Sequence, residues 1–343
     1  MKAMVLRAPN TPFVLEQRPD PKAGPGEAVA RVFACGAGLT IEHIRAGRAP
    51  ATFPRIIGHE ISAEIVEVGA GVTELRIGDP VTCYFYASCG HCRWCRENRQ
   101  TICTNQNPRV GYQLDGGYAE LIKLPAHHFL KLPKGLDHKG KAAEVAVIVD
   151  ALATPYKVVR YAKVRPLEQV AVVGAGGGLG IHMIMVAKWA KARVIAVERS
   201  AVKFDACRKA GADAVVDATG NDVVGALMEA TGGAGVDVVI DFVSSQTSLE
   251  TGFAALGPGG RLVTLGGSGE EFKVSARAFL NKELAVLGSR YASKQECLDT
   301  LALAARGDFW PMVTEVYPLA EADKVHARLA RAEVIGRAAL SMV

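Results

Sequence analysis

The chain has no apolar stretch near the roughly 18 residues a membrane span requires, so no transmembrane segment is expected. Aromatic residues are scarce at 6%, and Trp94, Trp189 and Trp310 are too scattered to form a stacking platform for single-stranded nucleic acid. There is no basic run, and 40 Lys and Arg against 35 Asp and Glu leave a formal charge of only +5, which argues against nucleic acid as the main partner. Met1-Lys2-Ala3-Met4 runs into Arg7 and Pro9 without a signal-peptide core, so a cytoplasmic location is expected. With 49% hydrophobic and 22% charged residues in 343 positions, disorder is a poor fit and two or three domains are allowed.

What is present is unevenly distributed. Up to about Pro133 the sequence reads as short β-type runs broken by Gly and Pro, such as Phe13-Val14-Leu15 and Ala63-Glu64-Ile65-Val66-Glu67-Val68, which suits a compact antiparallel, barrel-like domain. After about Asp150 strands alternate with helices: strands Gln169 to Val173, Arg193 to Val197 and Asp237 to Asp241, and helices Ile181 to Lys191 and Lys203 to Ala210. That alternation predicts βαβ units and a parallel sheet covered on both faces.

Between a predicted strand and a predicted helix lies Gly174-Ala175-Gly176-Gly177-Gly178-Leu179-Gly180, a loop in which glycines let the backbone approach a pyrophosphate while the helix N-terminus favours its charge. Glu198 ends the next strand, 18 residues after Gly180, placed to accept hydrogen bonds from the adenosine ribose. An acid there disfavours a 2′-phosphate, so NAD(H) is expected in preference to NADP(H), although the neighbouring Arg199 could serve that phosphate.

Of the eight cysteines, four crowd into positions 89 to 103. Cys89, Cys92, Cys95 and Cys103 have two, two and seven intervening residues, which suits a closed tetrahedral, structural Zn²⁺ site. Isolated Cys83, Cys207 and Cys297 read as buried small hydrophobes. Adjacent His127 and His128 point to opposite sides of an extended chain and read as surface residues.

The cysteine knuckle, the Gly58-His59-Glu60 triplet before it and the glycine loop after it resemble, in that order, the zinc-containing medium-chain alcohol dehydrogenases. Asp150-Ala151-Leu152-Ala153-Thr154-Pro155-Tyr156 with Ile240-Asp241-Phe242-Val243 is most similar to the bacterial secondary-alcohol dehydrogenases that use Asp as a zinc ligand. The resemblance implies an α/β fold with a GroES-like β-barrel catalytic domain at 1–151, carrying the zinc lobe at about 83–110. It further implies a Rossmann NAD-binding domain, a doubly wound parallel sheet, at 152–288, and a C-terminal segment at 289–343 that returns to the catalytic domain. Cofactor contacts are implied for Gly174, Gly176, Gly177, Gly178, Leu179, Gly180, Glu198, Arg199, Lys203, Val243, Gly266, Gly267 and Lys294.

The resemblance also implies a catalytic zinc held by a Cys, the His of the triplet and a Cys, Asp or Glu before the Rossmann domain. His59 and Asp150 match the last two, with Glu60 near enough in sequence to add a third donor, but Gly38 stands where the Cys belongs. Ile41 stands where an Asp braces the liganding His, a loss that weakens metal affinity. A catalytic zinc and a metal-free cleft are therefore both open. Thr40 and His43 match the relay that carries the alcohol proton to solvent.

The expected activity is NAD(H)-dependent hydride transfer between a small or aromatic alcohol, or its carbonyl, and nicotinamide. Two alternatives stand beside it: a zinc-independent reductase of an activated C=C bond, and a non-catalytic NAD(H)-binding protein. Phe53, Tyr84, Tyr86, Tyr112 and Tyr291 hint at an apolar or aromatic substrate. The expected partners are a small-molecule substrate and copies of the same chain, in a homodimer or homotetramer, with neither nucleic acid nor membrane.

Overall fold

The computed structural model describes all residues except 106, 107, 268 and 343. The chain divides into two compact units, one formed by Met1–Ala153 with Ala292–Val343 and the other by Thr154–Tyr291. The first is therefore discontinuous in sequence.

In the discontinuous unit a seven-stranded sheet is organised around the long strand Glu27–Ala37. Its apolar Ala28, Val29, Ala30, Val32, Ala34 and Cys35 are buried. One edge of this strand pairs antiparallel with Ile61–Val68, and the other is shared by Leu121–Pro125 and the final strand Arg337–Ser341. Pro80–Cys83 and Phe129–Lys131 extend the sheet at one end, and Val313–Pro318 pairs parallel with the final strand at the other. A smaller sheet joins Phe13–Gln17, Lys2–Leu6 and Arg55–Ile56. The expected antiparallel domain is thus present, with one parallel pair supplied by the C-terminal segment.

The second unit is a six-stranded parallel sheet in the order Ala214–Asp217, Arg193–Glu198, Gln169–Val173, Val236–Asp241, Leu256–Thr264, Ala285–Gly288. Its central strands are continuous apolar runs buried on both faces, as parallel strands under helices must be. The strand order reverses between Gln169–Val173 and Val236–Asp241, the switch point at which open α/β sheets bind ligands. The glycine loop follows the first of these strands and Val243 follows the second. No helix among the described residues is long and apolar enough to cross a membrane.

Candidate active site

Strand register assembles the first cluster. Ala338 lies opposite Ala37 and Ala339 opposite Gly36, so one further step sets Arg337 across from Gly38. On the other edge Cys35 lies opposite Ile61, and the Gly36 amide donates to the Glu60 carbonyl at 2.8 Å. Asp150 arrives on a single π turn, Ile148–Leu152, inserted between two α-helical segments, a distortion that recurs at functional sites.

Four side chains meet there, all buried: Glu60, His59, Asp150 and Arg337. Arg337 Nε donates to Glu60 Oε2 at 3.1 Å, and Nη2 donates to both Glu60 Oε1 and, at 3.0 Å, Asp150 Oδ2. His59 Nε2 lies 3.5 Å from the same Asp150 oxygen. The Phe85 ring covers the imidazole with centroids 4.2 Å apart. Two glycines make this packing feasible. A Cβ at position 36 would run into Glu60, and one at position 38 would lie 2.7 Å from Arg337 Cζ and Nη1.

Burial pushes the Glu60 carboxyl up to about 8, a rise that the Arg337 charge opposes and the Asp150 charge reinforces. Burial acts the same way on Asp150, but the His59 hydrogen bond and the Arg337 charge outweigh it and hold this carboxyl well below its ordinary range.

His59, Glu60 and Asp150 offer donor atoms within 4.8 Å of one another, a spacing one cation could bridge. Two observations set limits on that use. His59 Nδ1 is buried without a hydrogen-bond partner among the described residues, whereas metal-bound imidazoles almost always donate their other N–H. Both carboxylates are already engaged by one guanidinium.

Thr40 and His43 lie on the short helix Leu39–Arg45 that begins right after Gly38, both half-buried. Burial and the Arg48 charge lower the His43 pKa. On the same helix Ile41 is buried, and Glu42 pairs with Arg45 at 2.7 Å and accepts from His326 Nδ1 at 3.0 Å. His326 Nε2 in turn lies 3.0 Å from the Tyr118 hydroxyl, an internal network that fixes the helix.

The glycine loop fits a dinucleotide. Backbone amides of Gly178, Leu179 and Gly180 have no acceptor among the described residues, and they open the helix Gly180–Trp189. A Cβ at Gly180 would collide with the Gly174 carbonyl, so the turn requires glycine there. Glu198 is buried and accepts from the Gly176, Arg199 and Ser200 amides at 2.8, 2.9 and 3.0 Å. It therefore braces the glycine loop from the end of its strand. Lys203 is buried against Gly176, while the Arg199 side chain is exposed. The Val243 amide donates to Asp241 and the Gly266 amide to Ser244, and Gly267 is exposed. Lys294 starts the helix Lys294–Arg306 in the other unit and donates to the His127 carbonyl at 3.0 Å.

The four knuckle sulfurs stand at 3.5 Å for Cys92–Cys95 and Cys89–Cys103, and 3.8 Å for Cys89–Cys95 and Cys92–Cys103. Zn–S bonds of about 2.3 Å place tetrahedral sulfurs about 3.8 Å apart, so the set fits one zinc without rearrangement. Amides of Cys95 and Thr104 lower Cys92 to about 5, favouring the thiolate a metal needs. His91 bonds the Cys89 carbonyl and Asn105 instead of joining the set.

Two expectations change. His128 is buried, with Nδ1 3.1 Å from the Tyr84 carbonyl, because a 3₁₀ turn, Ala126–His128, replaces the extended backbone assumed for the pair. Tyr84 is core, its hydroxyl donating to the Ala292 carbonyl at 3.0 Å, and the aromatic that touches His59 is Phe85. Sequence reasoning also missed Arg337. Its available signal was a lone arginine opening the apolar final strand, Ala338-Ala339-Leu340.

Comparison with known proteins settles the family. The alcohol dehydrogenase GroES-like domain matches residues 24–134 and the zinc-binding dehydrogenase family matches residues 178–306. An alcohol dehydrogenase of Geobacillus stearothermophilus is 32% identical over 100% of both chains. The chain belongs to the zinc-type medium-chain dehydrogenase/reductase family. Membership makes it an NAD-dependent oxidoreductase of the class acting on CH–OH groups. An acryloyl-coenzyme A reductase of Metallosphaera sedula is 30% identical, covering 99% of this chain and 100% of its own. The crystal structure of the alcohol dehydrogenase from Aeropyrum pernix superposes with a TM-score of 0.91 at 33% identity, covering 99% of this chain and 100% of its own.

Proposed function

We propose that this dehydrogenase interconverts a small alcohol and its ketone or aldehyde with NAD(H). The observation that carries the reading is the trio of unpartnered amides at Gly178, Leu179 and Gly180, flanked by an acid at Glu198. Bound NAD supplies the hydride acceptor. In the oxidative direction the cofactor would accept the carbinol hydrogen as hydride, and the Thr40 hydroxyl and His43 would carry the O–H proton away, so that alcohol and NAD⁺ would give a carbonyl, NADH and one proton. His59 and Asp150 supply the polar groups beside the reacting oxygen, and Phe85 covers the imidazole. The buried Glu198 supports NAD(H) over NADP(H), and the four-sulfur set supports one structural zinc.

A second reading, hydride addition to a C=C bond conjugated to a carbonyl or thioester, draws on Gly38: without the thiolate, activation of a bare carbonyl oxygen is weaker. The full-length likeness to an acryloyl-coenzyme A reductase supports it as well. A panel of secondary alcohols with NAD⁺, and of ketones, enones and enoyl thioesters with NADH, decides between them. Alcohol oxidation with matching ketone reduction is expected. Turnover confined to C=C substrates, identified by mass of the saturated product, replaces the first reading with the second. Four cysteines spaced as zinc ligands and no disulfide-like spacing among the rest suit a reducing, cytoplasmic setting, and assembly into a homodimer or homotetramer is proposed, to be read by light scattering.

A further inference from the structure

We propose that Glu42 is a positioning residue for the proton relay: its buried, ionised carboxylate sets a fixed negative charge beside His43 and lets that imidazole take up the alcohol proton. The inference rests on the relay through Thr40 and His43 proposed above.

The short helix sorts its residues by face. Positions three apart are neighbours, so Leu39–Arg45 pairs Thr40 with His43, Ile41 with Ile44, and Glu42 with Arg45. Ile41 and Ile44 are buried in the core. Seven residues without a side-chain cap do not hold a helix by themselves, so these two anchored faces decide how the relay face is presented.

The Glu42 face is tied to a helix far away in sequence, Ala322–Ala330. Arg45 Nε and Nη2 donate to Glu42 Oε2 and Oε1 at 2.7 and 2.9 Å, and His326 Nδ1 lies 3.0 Å from Oε2. His326 is fully buried between the Phe13 and Tyr118 rings, whose centroids lie 5.1 and 5.9 Å from its own. One proton arrangement satisfies the whole chain: an ionised carboxylate accepts, so Nδ1 donates to Glu42 and Nε2 accepts from the Tyr118 hydroxyl at 3.0 Å. Burial opposes the Glu42 charge, but the His326 and Arg45 hydrogen bonds outweigh it and keep this carboxyl below its ordinary range. A negative charge therefore persists at a place where an unpartnered carboxylate would be neutral.

His43 has use for it. An imidazole that takes up a proton becomes a cation, and the half-burial of His43 disfavours that charge. Of the charged groups that act on it, Arg48 opposes the cation as well and Glu42 favours it.

The proton affinity of His43 can be read directly, without substrate. Trypsin releases residues 32–45 as a peptide whose one histidine is His43, so hydrogen–deuterium exchange at its C2 position, followed by mass against pH in the intact enzyme, gives the midpoint. Glu42→Gln is expected to lower that midpoint by about one pH unit. Arg45→Gln, which breaks the same ion pair from its other end and leaves the acid charged, is expected to hold or raise it. A loosened helix would move both variants alike. An unmoved midpoint in Glu42→Gln, or equal falls in both variants, overturns the proposal. If Glu42→Gln does not fold, the Glu42→Gln, Arg45→Gln double variant, which leaves no unpaired arginine and keeps an acceptor for His326, takes its place; a wild-type midpoint there refutes the charge role. Turnover separates this inference from the relay on which it rests. The pH profile of alcohol oxidation in Glu42→Gln is expected to shift with the His43 midpoint. A wild-type profile in His43→Gln overturns the relay itself, whereas an altered profile there with an unmoved midpoint in Glu42→Gln overturns the role of Glu42 alone.

Discussion

Arg337 and Gly38 face each other across two antiparallel strands, with the guanidinium carbon 2.7 Å from the point where a side chain at position 38 would begin. Gly38 has φ −140°, an extended conformation open to any residue, so a side chain there is opposed only by the Arg337 guanidinium packed against it. Gly38→Ala is therefore expected to cost about 1–3 kcal/mol by overpacking, read by urea unfolding. Combined with Arg337→Lys the cost should fall below the sum of the two single variants. Simple additivity would place the strain elsewhere.

The cysteine lobe depends on its metal. Cys92→Ser removes one of four sulfurs and is expected to reduce bound zinc to well below one per chain and to lower the melting temperature. Elemental analysis with a thermal melt checks this. Full zinc occupancy in the variant would contradict the four-sulfur assignment.

Burial drops the His128 pKa from 6.5 to about 4. Between those values the unfolded chain binds a proton that the folded chain refuses. Stability from this residue is thus complete above about pH 6.5 and declines as pH falls toward 4, by up to about 3 kcal/mol. Its Nδ1–H donates to the Tyr84 carbonyl, a bond that an asparagine amide can replace. Urea melts at pH 5 and 7.5 should differ less for His128→Asn than for wild type.

Glu198 holds the Gly176 amide at 2.8 Å as well as its own strand end. Glu198→Ala is expected to loosen the loop and weaken NADH binding about tenfold or more, with a smaller relative loss for NADPH, measured by fluorescence titration. Equal losses for both cofactors would assign the acid to the loop alone.

Much of this was legible because it was local. The loop, its acid and the cysteine spacing each lie within a short window, and both substitutions noticed in the sequence have structural counterparts. Gly38 leaves the space that Arg337 fills, and Ile41 supplies no acceptor to a His59 nitrogen that is indeed unpartnered. What escaped was long-range. Arg337 lies 277 positions from Glu60, and only the strand register brings them together. Glu42, between the relay candidates Thr40 and His43, is one end of a buried network reaching His326, 284 positions away. His128 escaped for a different reason, since alternation of side chains holds only in extended backbone.

The discontinuity of the first unit orders events during synthesis. The inserted unit, Thr154–Tyr291, is continuous and can fold as soon as it leaves the ribosome, whereas Glu27–Ala37 waits for one of its edge partners until Arg337–Ser341 emerges. Until then Glu60 and Asp150 lack the Arg337 guanidinium that both accept from in the folded unit. The nascent chain thus carries a continuous parallel-sheet unit while the two acids of the discontinuous unit still await their shared counter-charge.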